Sequence, residues 1–424
     1  MKNTITKNTN TLKIIGISGS GENLILPPAY HKLISEADVL AGGERLLGLF
    51  PEFSGEKIVI KTHLSKMADQ LIQFSKEGKS VTVLASGDPL FYGVGSYLAK
   101  KTDVEIFPSL TSLQLAAARA QLSWQNSYPI SLHGKPIAGL AQKINGRSEV
   151  AILTDLINTP VAIAKYLLSF KMQEYKIFVG EDLGTTKEKT NWFTIQELAN
   201  TPPENFSNLN ILLLKAASDS STQKSSSTSY TYGGLGIDEE EFEARENGRG
   251  LITKKEIRVL TLSALKLHSK SVVWDIGACT GSLSIEAARI AWQGEVFSIE
   301  KNDHEIENFK KNMVKFRTDI TLVHGKAPDG LENFADPDAV FIGGSGGELP
   351  SVLKIAISRL KEGGVIVVNA ATLETLQAAN DILINTGFKV DITLAQISRS
   401  KPILDMTRFE ALNPVYIISA LKQR

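Results

Sequence analysis

A segment rich in serine, threonine and glycine near the middle of the chain constrains the fold most strongly. Residues 216–236, AASDSSTQKSSSTSYTYGGLG, contain almost no large aliphatic side chain and cannot bury enough apolar surface to order themselves. The chain has 424 residues, which is roughly three times the usual length of a domain. We therefore predict two independently folded domains, residues 11–215 and 236–424, joined by a linker at 216–235.

Short apolar runs alternate with helical patterns before this linker. Strands are predicted at 13–18, 37–43, 57–61, 80–87 and 103–109, and a second set, beginning near Tyr128, at 151–155, 176–182 and 210–215. Nearly continuous apolar strands interleaved with helices are typical of buried sheets with crossover connections. The pattern predicts two α/β lobes with a cleft between them.

After the linker the alternation of strand and helix is more regular. It repeats five times and ends with two consecutive strands, 389–397 and 414–420, which predicts a doubly wound sheet with an antiparallel edge. The helix that follows the second strand begins with Asn302 and Glu305 at the spacing of a capping box.

The C-terminal domain carries a glycine motif where its first strand turns into a helix. Residues 275–281 read DIGACTG, and Glu300 ends the next strand, from which a carboxylate can accept hydrogen bonds from ribose hydroxyls. A dinucleotide site would need a GxGxxG spacing, which this segment lacks. The motif therefore favours a nucleoside sulfonium, S-adenosylmethionine. Cys279 occupies the middle glycine position; a catalytic thiol is the weaker interpretation, because no neighbouring base is evident.

The C-terminal domain resembles the C15-methylating, decarboxylating module of cobalamin biosynthesis. The matching segments are GIDEEEFEARENGRGLITKKEIRVLTLSAL, WDIGACTGSLSIEA, DAVFIGGSGGEL, VVNAATLET and RFEALNPVYII. The resemblance implies a Rossmann-like methyltransferase sheet. It also implies a site for the methyl donor lined by Thr253, Gly277, Ala278, Cys279, Thr280, Gly281, Glu300 and Ala327.

The N-terminal domain is similar to the C5-methylating module of the same pathway, a member of the tetrapyrrole methylase superfamily. The matching segments are VLASGDPLFYGVG, FPSLTSLQLAAAR, SLHGKP, LTDLINTP and VGEDLGTTKE. The resemblance implies a two-lobed tetrapyrrole-methylase fold. The donor would lie between the lobes and contact Gly87, Asp88, Pro89, Ser112 and Thr154. Ser20 stands where proline is common in the opening loop.

The fused order, C5 module before C15 module, resembles the family of precorrin-6Y C5,15-methyltransferases (decarboxylating). It implies methylation of precorrin-6B, or its cobalt form, at carbons 5 and 15 by S-adenosylmethionine, with decarboxylation of the ring C acetate. The conjugated macrocycle can itself accept the electrons released by decarboxylation, so no metal is expected. Catalytic residues remain unassigned; His133 and His324, near predicted strand ends, are candidates for proton transfer.

A polycarboxylate substrate requires cations at its site despite a neutral chain. Flat glycine backbone after the fourth strand, in FIGGSGG, would suit a broad macrocycle. The substrate-binding candidates are Arg249, Lys254, Gly343, Gly344, Ser345, Gly346, Arg399 and Arg408, and the neighbouring cations are Arg245, Lys255, Arg258 and Lys401.

Charge and composition weigh against several other classes. Lys and Arg number 46, as do Asp and Glu, which argues against a nucleic-acid coat or an electrostatic membrane binder. No stretch approaches the roughly 18 apolar residues of a membrane span, and the polar N-terminus has no signal core, so we expect a cytoplasmic protein. The alternatives are a nucleic-acid methyltransferase, a non-catalytic tetrapyrrole-binding protein and a dinucleotide oxidoreductase. Relatives of the C-terminal module often self-associate, so we expect a homo-oligomer whose partner is the small-molecule corrinoid precursor.

Overall fold

The computed structural model describes residues 11–20, 23–61, 64–217, 234–245 and 252–423. They divide into two compact units. The N-terminal unit holds the described residues up to 217, apart from 137–146 and 167–172, and the C-terminal unit holds those two segments and the residues from 234 onward. Most of the predicted linker lies outside the described residues, and Ala216, its predicted first residue, still belongs to a strand.

The first sheet of the N-terminal unit is parallel throughout. Its strand order is β3-β2-β4-β1-β5. The strands are β1 (Leu12–Ile17), β2 (Val39–Gly42), β3 (Glu56–Val59), β4 (Val81–Ser86) and β5 (Val104–Phe107), and the helices are α1 (Pro28–Ser35), α2 (Glu44–Leu47), α3 (Leu64–Lys76), α4 (Val94–Leu98) and α5 (Ser112–Ala120). Apolar side chains of β1 alternate between two cores, so both faces of this sheet are covered, as predicted.

A second sheet follows with a different pairing. Its order is β6-β7-β10-β8-β9, and only β6 and β7 pair in parallel. The strands are β6 (Tyr128–Ser131), β7 (Glu149–Leu153), β8 (Tyr175–Glu181), β9 (Lys189–Thr194) and β10 (Asn210–Ala216), with helices α6 (Leu140–Ile144), α7 (Pro160–Ser169) and α8 (Ile195–Asn200). Strand β9 was not predicted, because its sequence KTNWFT is mostly polar and the strand is largely exposed.

The C-terminal unit contains a sheet of seven strands in the order β13-β12-β11-β14-β15-β19-β16. The strands are β11 (Val272–Ile276), β12 (Glu295–Glu300), β13 (Thr321–His324), β14 (Ala339–Ile342), β15 (Val365–Ala370), β16 (Lys389–Ala395) and β19 (Val415–Leu421). The helices are α9 (Lys255–Ala264), α10 (Ser282–Ile290), α11 (Asp303–Phe316), α12 (Leu349–Arg359) and α13 (Leu373–Asn385). Strand β19 is the antiparallel strand, and it lies between β15 and β16. The last strand in sequence, β19, is therefore the second strand from the sheet edge, and β16 forms the edge.

The last two sheet strands are not consecutive, contrary to the prediction. A hairpin of β17 (Ser398–Ile403) and β18 (Met406–Ala411) separates β16 from β19. Both faces of the hairpin are largely exposed. Because neither face is buried, its sequence does not show the alternation of apolar and polar residues that predicts a strand.

The predicted capping box at the start of α11 is also wrong. Asn302 does cap the helix, but its side chain accepts from the backbone N–H of His304. Glu305 does not reach back to the cap; it is buried and pairs with the guanidinium of Arg245 at 2.8 Å. An ion pair outside the helix has replaced the local hydrogen bond.

A fully buried ion pair joins three segments of the C-terminal unit. Arg258 and Glu286 have no exposed side-chain surface, and Arg258 Nε donates to Glu286 Oε1 at 2.6 Å. Arg258 also donates to the carbonyls of Thr253, at 2.8 Å, and Ile237, while Glu286 accepts from the backbone N–H of Gly236 at 2.8 Å. The pair thus ties the start of α9 and residues 236–237 to α10.

Removing one partner of this pair should destabilise the C-terminal unit strongly. Arg258→Met leaves the Glu286 carboxylate buried without its cation, which costs about 3–5 kcal/mol. Adding Glu286→Leu should recover only part of that loss, because the backbone N–H groups of Gly236 and Ile237 then lose their acceptor. Hydrogen–deuterium exchange in β11 measures the change, with Lys310→Met as a control because its pair with Glu307 is exposed. Equal protection in Arg258→Met and the unmodified chain would contradict the prediction.

Candidate active sites

A cavity of about 750 Å³ lies at the carboxyl ends of the parallel strands in the C-terminal unit. Its wall comes from the loops after β11, β12, β13, β14 and β15, from the start of α9 and from residues 411–415. Ligand sites in open α/β sheets lie at this edge, where the loops converge. The predicted residues that line it are Thr253, Lys254, Gly277, Ala278, Cys279, Glu300, Ala327, Gly343, Gly344, Ser345 and Gly346.

Two glycine-containing loops meet backbone to backbone in this wall. Gly277 has φ of +74°, and a Cβ built there would lie 2.3 Å from the carbonyl oxygen of Gly344. A side chain at 277 would therefore push the two loops apart. The absence of side chains brings the backbone itself to the cavity surface.

Glu300 holds the glycine loop in place with its carboxylate. Oε2 accepts from the backbone N–H of Cys279 at 2.9 Å, and Oε1 accepts from those of Lys301 and Asn302 at 2.8 and 2.9 Å. The side chain is buried yet lines the cavity. A carboxylate offers about four lone-pair sites, so it keeps acceptor capacity for a ligand hydroxyl.

Among the residues that line the cavity, Asp275 has the carboxyl group whose pKa is shifted furthest from its usual value. Its side chain is buried; Oδ2 accepts from Ser284 Oγ, while Oδ1 has no hydrogen-bond partner. Burial raises the pKa of this carboxyl to about 7, and the nearby charge of Glu300 acts in the same direction. Asp275 is part of the sequence motif, but the sequence does not reveal its raised pKa, because desolvation depends on the whole surrounding fold.

Cys279 is unsuited to act as a nucleophile. It has a positive φ of 49°, and its partly buried thiol faces acidic groups rather than a base. Burial, reinforced by Glu300 and Asp275, raises the pKa of the thiol to about 12. The catalytic-thiol interpretation is therefore not supported, since the thiolate is the reactive form.

The cavity wall does not include Thr280 and Gly281 of the predicted loop, nor the predicted cations Arg399 and Arg408. Thr280 is buried but does not line the cavity, and Gly281 faces the ring of Phe309, which a Cβ would approach to 2.2 Å. Their role in the described structure is to shape the turn into α10. Arg249 lies outside the described residues.

Arg399 and Arg408 belong to the hairpin and do not line the cavity. The Arg399 guanidinium donates to both oxygens of Glu239 and both oxygens of Glu256, at distances between 2.5 and 3.0 Å. Two carboxylates already occupy its donors, so it is a structural link between the hairpin and α9. Arg408 is half exposed, with its guanidinium 3.7 Å from Glu410. Sequence reasoning missed other polar residues of the wall, among them Ser282, Lys301, Asn369 and Asn413.

The N-terminal unit has its own cavity of about 580 Å³. Of the predicted donor residues, Gly87, Ser112 and Thr154 line it. Gly87 has φ of +64°, and a Cβ at Gly16 would lie 2.0 Å from its carbonyl oxygen, so here too the backbones of two adjacent strand ends touch. Thr154 is buried, and its hydroxyl lies 2.7 Å from Asn210 Oδ1.

Asp88 and Pro89 do not line this cavity. Asp88 Oδ1 accepts from the backbone N–H of Leu90 at 2.8 Å, and the Pro89 carbonyl accepts from Gly95 N–H at 3.0 Å. Both residues therefore stabilise the turn after β4. Ser20 also stays outside the wall, its backbone N–H donating to the carbonyl of Gly184 at 3.2 Å.

The two histidines proposed for proton transfer differ in position. His133 lines the N-terminal cavity, with Nδ1 3.3 Å from the Thr154 carbonyl oxygen. His324 lines neither cavity; its Nε2 lies 3.2 Å from the Lys301 carbonyl oxygen and 3.3 Å from Asp303. Among the described residues no helix is long and apolar enough to cross a membrane, and no group of histidine, cysteine and acidic side chains has the arrangement of a metal site.

Two family models match this chain. The precorrin methyltransferase domain matches residues 245–422, and the tetrapyrrole (corrin/porphyrin) methylases match residues 12–199. A precorrin-6Y C5,15-methyltransferase (decarboxylating) from Sinorhizobium sp is 31% identical over 95% of this chain and 94% of the relative. The chain belongs to this family. It is therefore a decarboxylating C-methyltransferase, and the interpretations as an oxidoreductase or a non-catalytic binding protein are wrong.

Relatives that carry one activity also match. A probable cobalt-precorrin-6B C15-methyltransferase (decarboxylating) from Pyrobaculum calidifontis is 38% identical over 45% of this chain and 98% of the relative. A cobalt-precorrin-7 C5-methyltransferase from Salmonella typhimurium is 30% identical over 43% of this chain and 90% of the relative. The bifunctional family thus has single-function relatives of about half its length.

The Cys279 thiol should react slowly in the folded chain. With its pKa raised to about 12, it carries roughly 1,000-fold less thiolate at pH 8 than a free cysteine. Because Cys279 is the only cysteine, labelling with a disulfide reagent reports on this one group. We expect slow labelling in buffer and fast labelling in urea. Fast labelling of the folded chain would indicate an activated thiol.

Proposed function

We propose that the chain methylates carbons 5 and 15 of precorrin-6B, or its cobalt form, with S-adenosylmethionine and decarboxylates the ring C acetate, in cobalamin biosynthesis. The observation that carries this proposal is the presence of two separate cavities, one per unit, each backed by a glycine contact at the ends of parallel strands. One donor site per unit accounts for two methyl transfers by one chain.

The C-terminal cavity fits the donor through three features. Glu300 would accept hydrogen bonds from the ribose hydroxyls, the loop at Gly277 would pass close to the ligand, and the unpartnered Oδ1 of Asp275 would face its cationic amino-acid part. Thr253 and Ala327 would complete the wall. S-adenosylmethionine supplies an electrophilic methyl group on a sulfonium.

The N-terminal cavity fits the donor by a different set of contacts. Gly87, Ser112 and Thr154 supply backbone and hydroxyl groups rather than an acid, and Thr111 caps the helix that begins at Ser112. Asp88 and Pro89 would act indirectly, by fixing the turn that presents Gly87.

The C-terminal unit would bind the macrocycle beside its donor. Lys254 and the exposed backbone of Gly343–Gly346 line the same cavity, and Lys254 would neutralise a peripheral carboxylate. Loss of carbon dioxide breaks the bond between the acetate methylene and its carboxyl carbon, the electron pair enters the conjugated macrocycle, and the methylene takes up a proton to become a methyl group. In the methyl transfer the ring carbon bonds to the methyl carbon as the carbon–sulfur bond breaks, and the donor leaves as a neutral thioether. The walls hold the reacting carbon in line with the methyl group and exclude water, which is where most of the rate enhancement would arise.

Arg249, Arg399 and Arg408 are not part of this substrate model. Four of the five N–H donors of Arg399 are taken by Glu239 and Glu256, and Arg408 lies on the exposed hairpin. Cytoplasmic location, a homo-oligomeric state and the lack of nucleic-acid or membrane partners stay predictions.

The decisive experiment is a mass-spectrometric assay of the full chain with donor and either form of precorrin-6B. We expect the product to gain two methyl groups and lose one carbon dioxide. Gly277→Ala should abolish the decarboxylating methylation, and Gly16→Ala should abolish the other methylation alone, because each Cβ collides with a facing carbonyl. Gly78→Ala is the matched control, since Gly78 also has positive φ but faces open space. Loss of the decarboxylating methylation in Gly16→Ala, or no mass change in the unmodified chain, would contradict the proposal.

Donor affinity at the C-terminal cavity should rise with pH through about 7. Below that value Asp275 is protonated and neutral, and above it the carboxylate attracts the cationic donor, so affinity changes by up to about tenfold per pH unit. Calorimetry at pH 6, 7 and 8 in a Gly16→Ala background isolates this cavity. Asp275→Asn should flatten the pH profile while its amide still accepts from Ser284. An unchanged slope in Asp275→Asn would rule out this role.

A further inference from the structure

Among the described residues, those that line the N-terminal cavity include cations and no acid. Among its lining residues the ionisable side chains are Arg45, Tyr92, His133 and Lys135, and none is aspartate or glutamate. In a chain with equal numbers of acidic and basic residues, this one-sided wall favours an anionic ligand. The methyl donor carries a sulfonium, so its methyl-bearing part gains nothing from these cations.

Arg45 presents a guanidinium with most of its donors unused. It lies in α2, and its Nη2 donates to Ser86 Oγ at 3.0 Å, which places it beside the residue that precedes Gly87. Among the described residues no carboxylate pairs with it; the adjacent Glu44 pairs with Lys61 instead. A guanidinium has five N–H donors in a fork that matches a carboxylate.

Lys135 stands on a loop that is held rigidly. The buried amide of Asn158 donates to the carbonyls of Leu132 and Lys135, both at 2.9 Å, and Asp155 accepts from the backbone N–H of Gly134 at 2.8 Å. These bonds fix the loop that follows β6 before any ligand arrives. Such preorganisation reduces the entropic cost of binding.

The Lys135 ammonium also lacks an anionic partner among the described residues. It lies 6.0 Å from the centroid of the Tyr92 ring, and the Tyr92 hydroxyl donates to the Pro129 carbonyl at 2.8 Å. An aromatic face attracts a cation but does not neutralise it. Lys135 therefore remains available for a ligand carboxylate.

We propose that Arg45 and Lys135 form a carboxylate clamp that binds peripheral carboxylates of the macrocycle and sets its orientation in the N-terminal unit. Arg45 comes from the first sheet's layer and Lys135 from the second, so the two cations hold the ligand from different sides of one cavity. This inference rests on the proposed function and names the residues that select a polycarboxylate substrate for methylation at carbon 5.

The clamp is tested by kinetics of the full chain in which mass spectrometry separates the two reactions. Only the reaction of the C-terminal unit loses carbon dioxide, so it serves as an internal reference. Arg45→Gln and Lys135→Met should each raise the KM for the corrinoid in the carbon 5 reaction by roughly tenfold or more. Lys135→Arg should restore much of the loss, and higher salt should raise the KM of the unmodified chain more than that of either variant.

Lys100→Met is the matched control, since Lys100 is exposed and does not line the cavity. Calorimetric titration of the donor into a Gly277→Ala background should give the same affinity with and without Arg45→Gln or Lys135→Met. An unchanged corrinoid KM would overturn the clamp, as would a weakened donor affinity, which would assign the cations to the donor's own carboxylate. If the unmodified chain transfers no methyl group at all, the proposed function is wrong and the clamp falls with it.

Discussion

Contact between bare backbones at the carboxyl ends of parallel strands underlies both candidate sites. Gly277 touches the carbonyl of Gly344 in the C-terminal unit, and Gly16 touches that of Gly87 in the N-terminal unit. Neither contact leaves room for a Cβ atom. Because the strand ends lie so close together, the glycine loops bring main-chain atoms to the cavity wall beside the side chains that line it.

Burial and ion pairing determine which charged side chains are available to bind a ligand. Arg258 pairs with Glu286, and Arg399 pairs with the carboxylates of Glu239 and Glu256. Both arginines therefore join segments of the C-terminal unit. Arg45 and Lys135 keep their charge beside a cavity whose described lining contains no aspartate or glutamate. Burial, together with the nearby charge of Glu300, raises the pKa of Asp275 to about 7. A neutral chain can thus present locally cationic surfaces to a polycarboxylate without any excess of basic residues.

Most of the sheets could be predicted, because buried strands have long apolar runs. The failures have physical causes. Strand β9 and the hairpin of β17 and β18 are largely exposed, so their sequences contain no burial signal. Glu305 lies at the spacing of a capping box from Asn302, but its carboxylate pairs with Arg245 and does not bind the backbone N–H of Asn302. Local patterns predict local hydrogen bonds only where no tertiary partner competes for the same group.

The sequence by itself determined the positions of the glycine loop and of Glu300, since a strand, a turn and a helix in succession place them at one edge of a sheet. It also determined the family, through ordered motifs over both units. Only the tertiary structure decided which cations face a cavity, because their partners are distant in the chain: Arg399 meets Glu239 from 160 residues away. The same holds for the acidity of Asp275, which depends on desolvation by residues that only the folded chain brings around it.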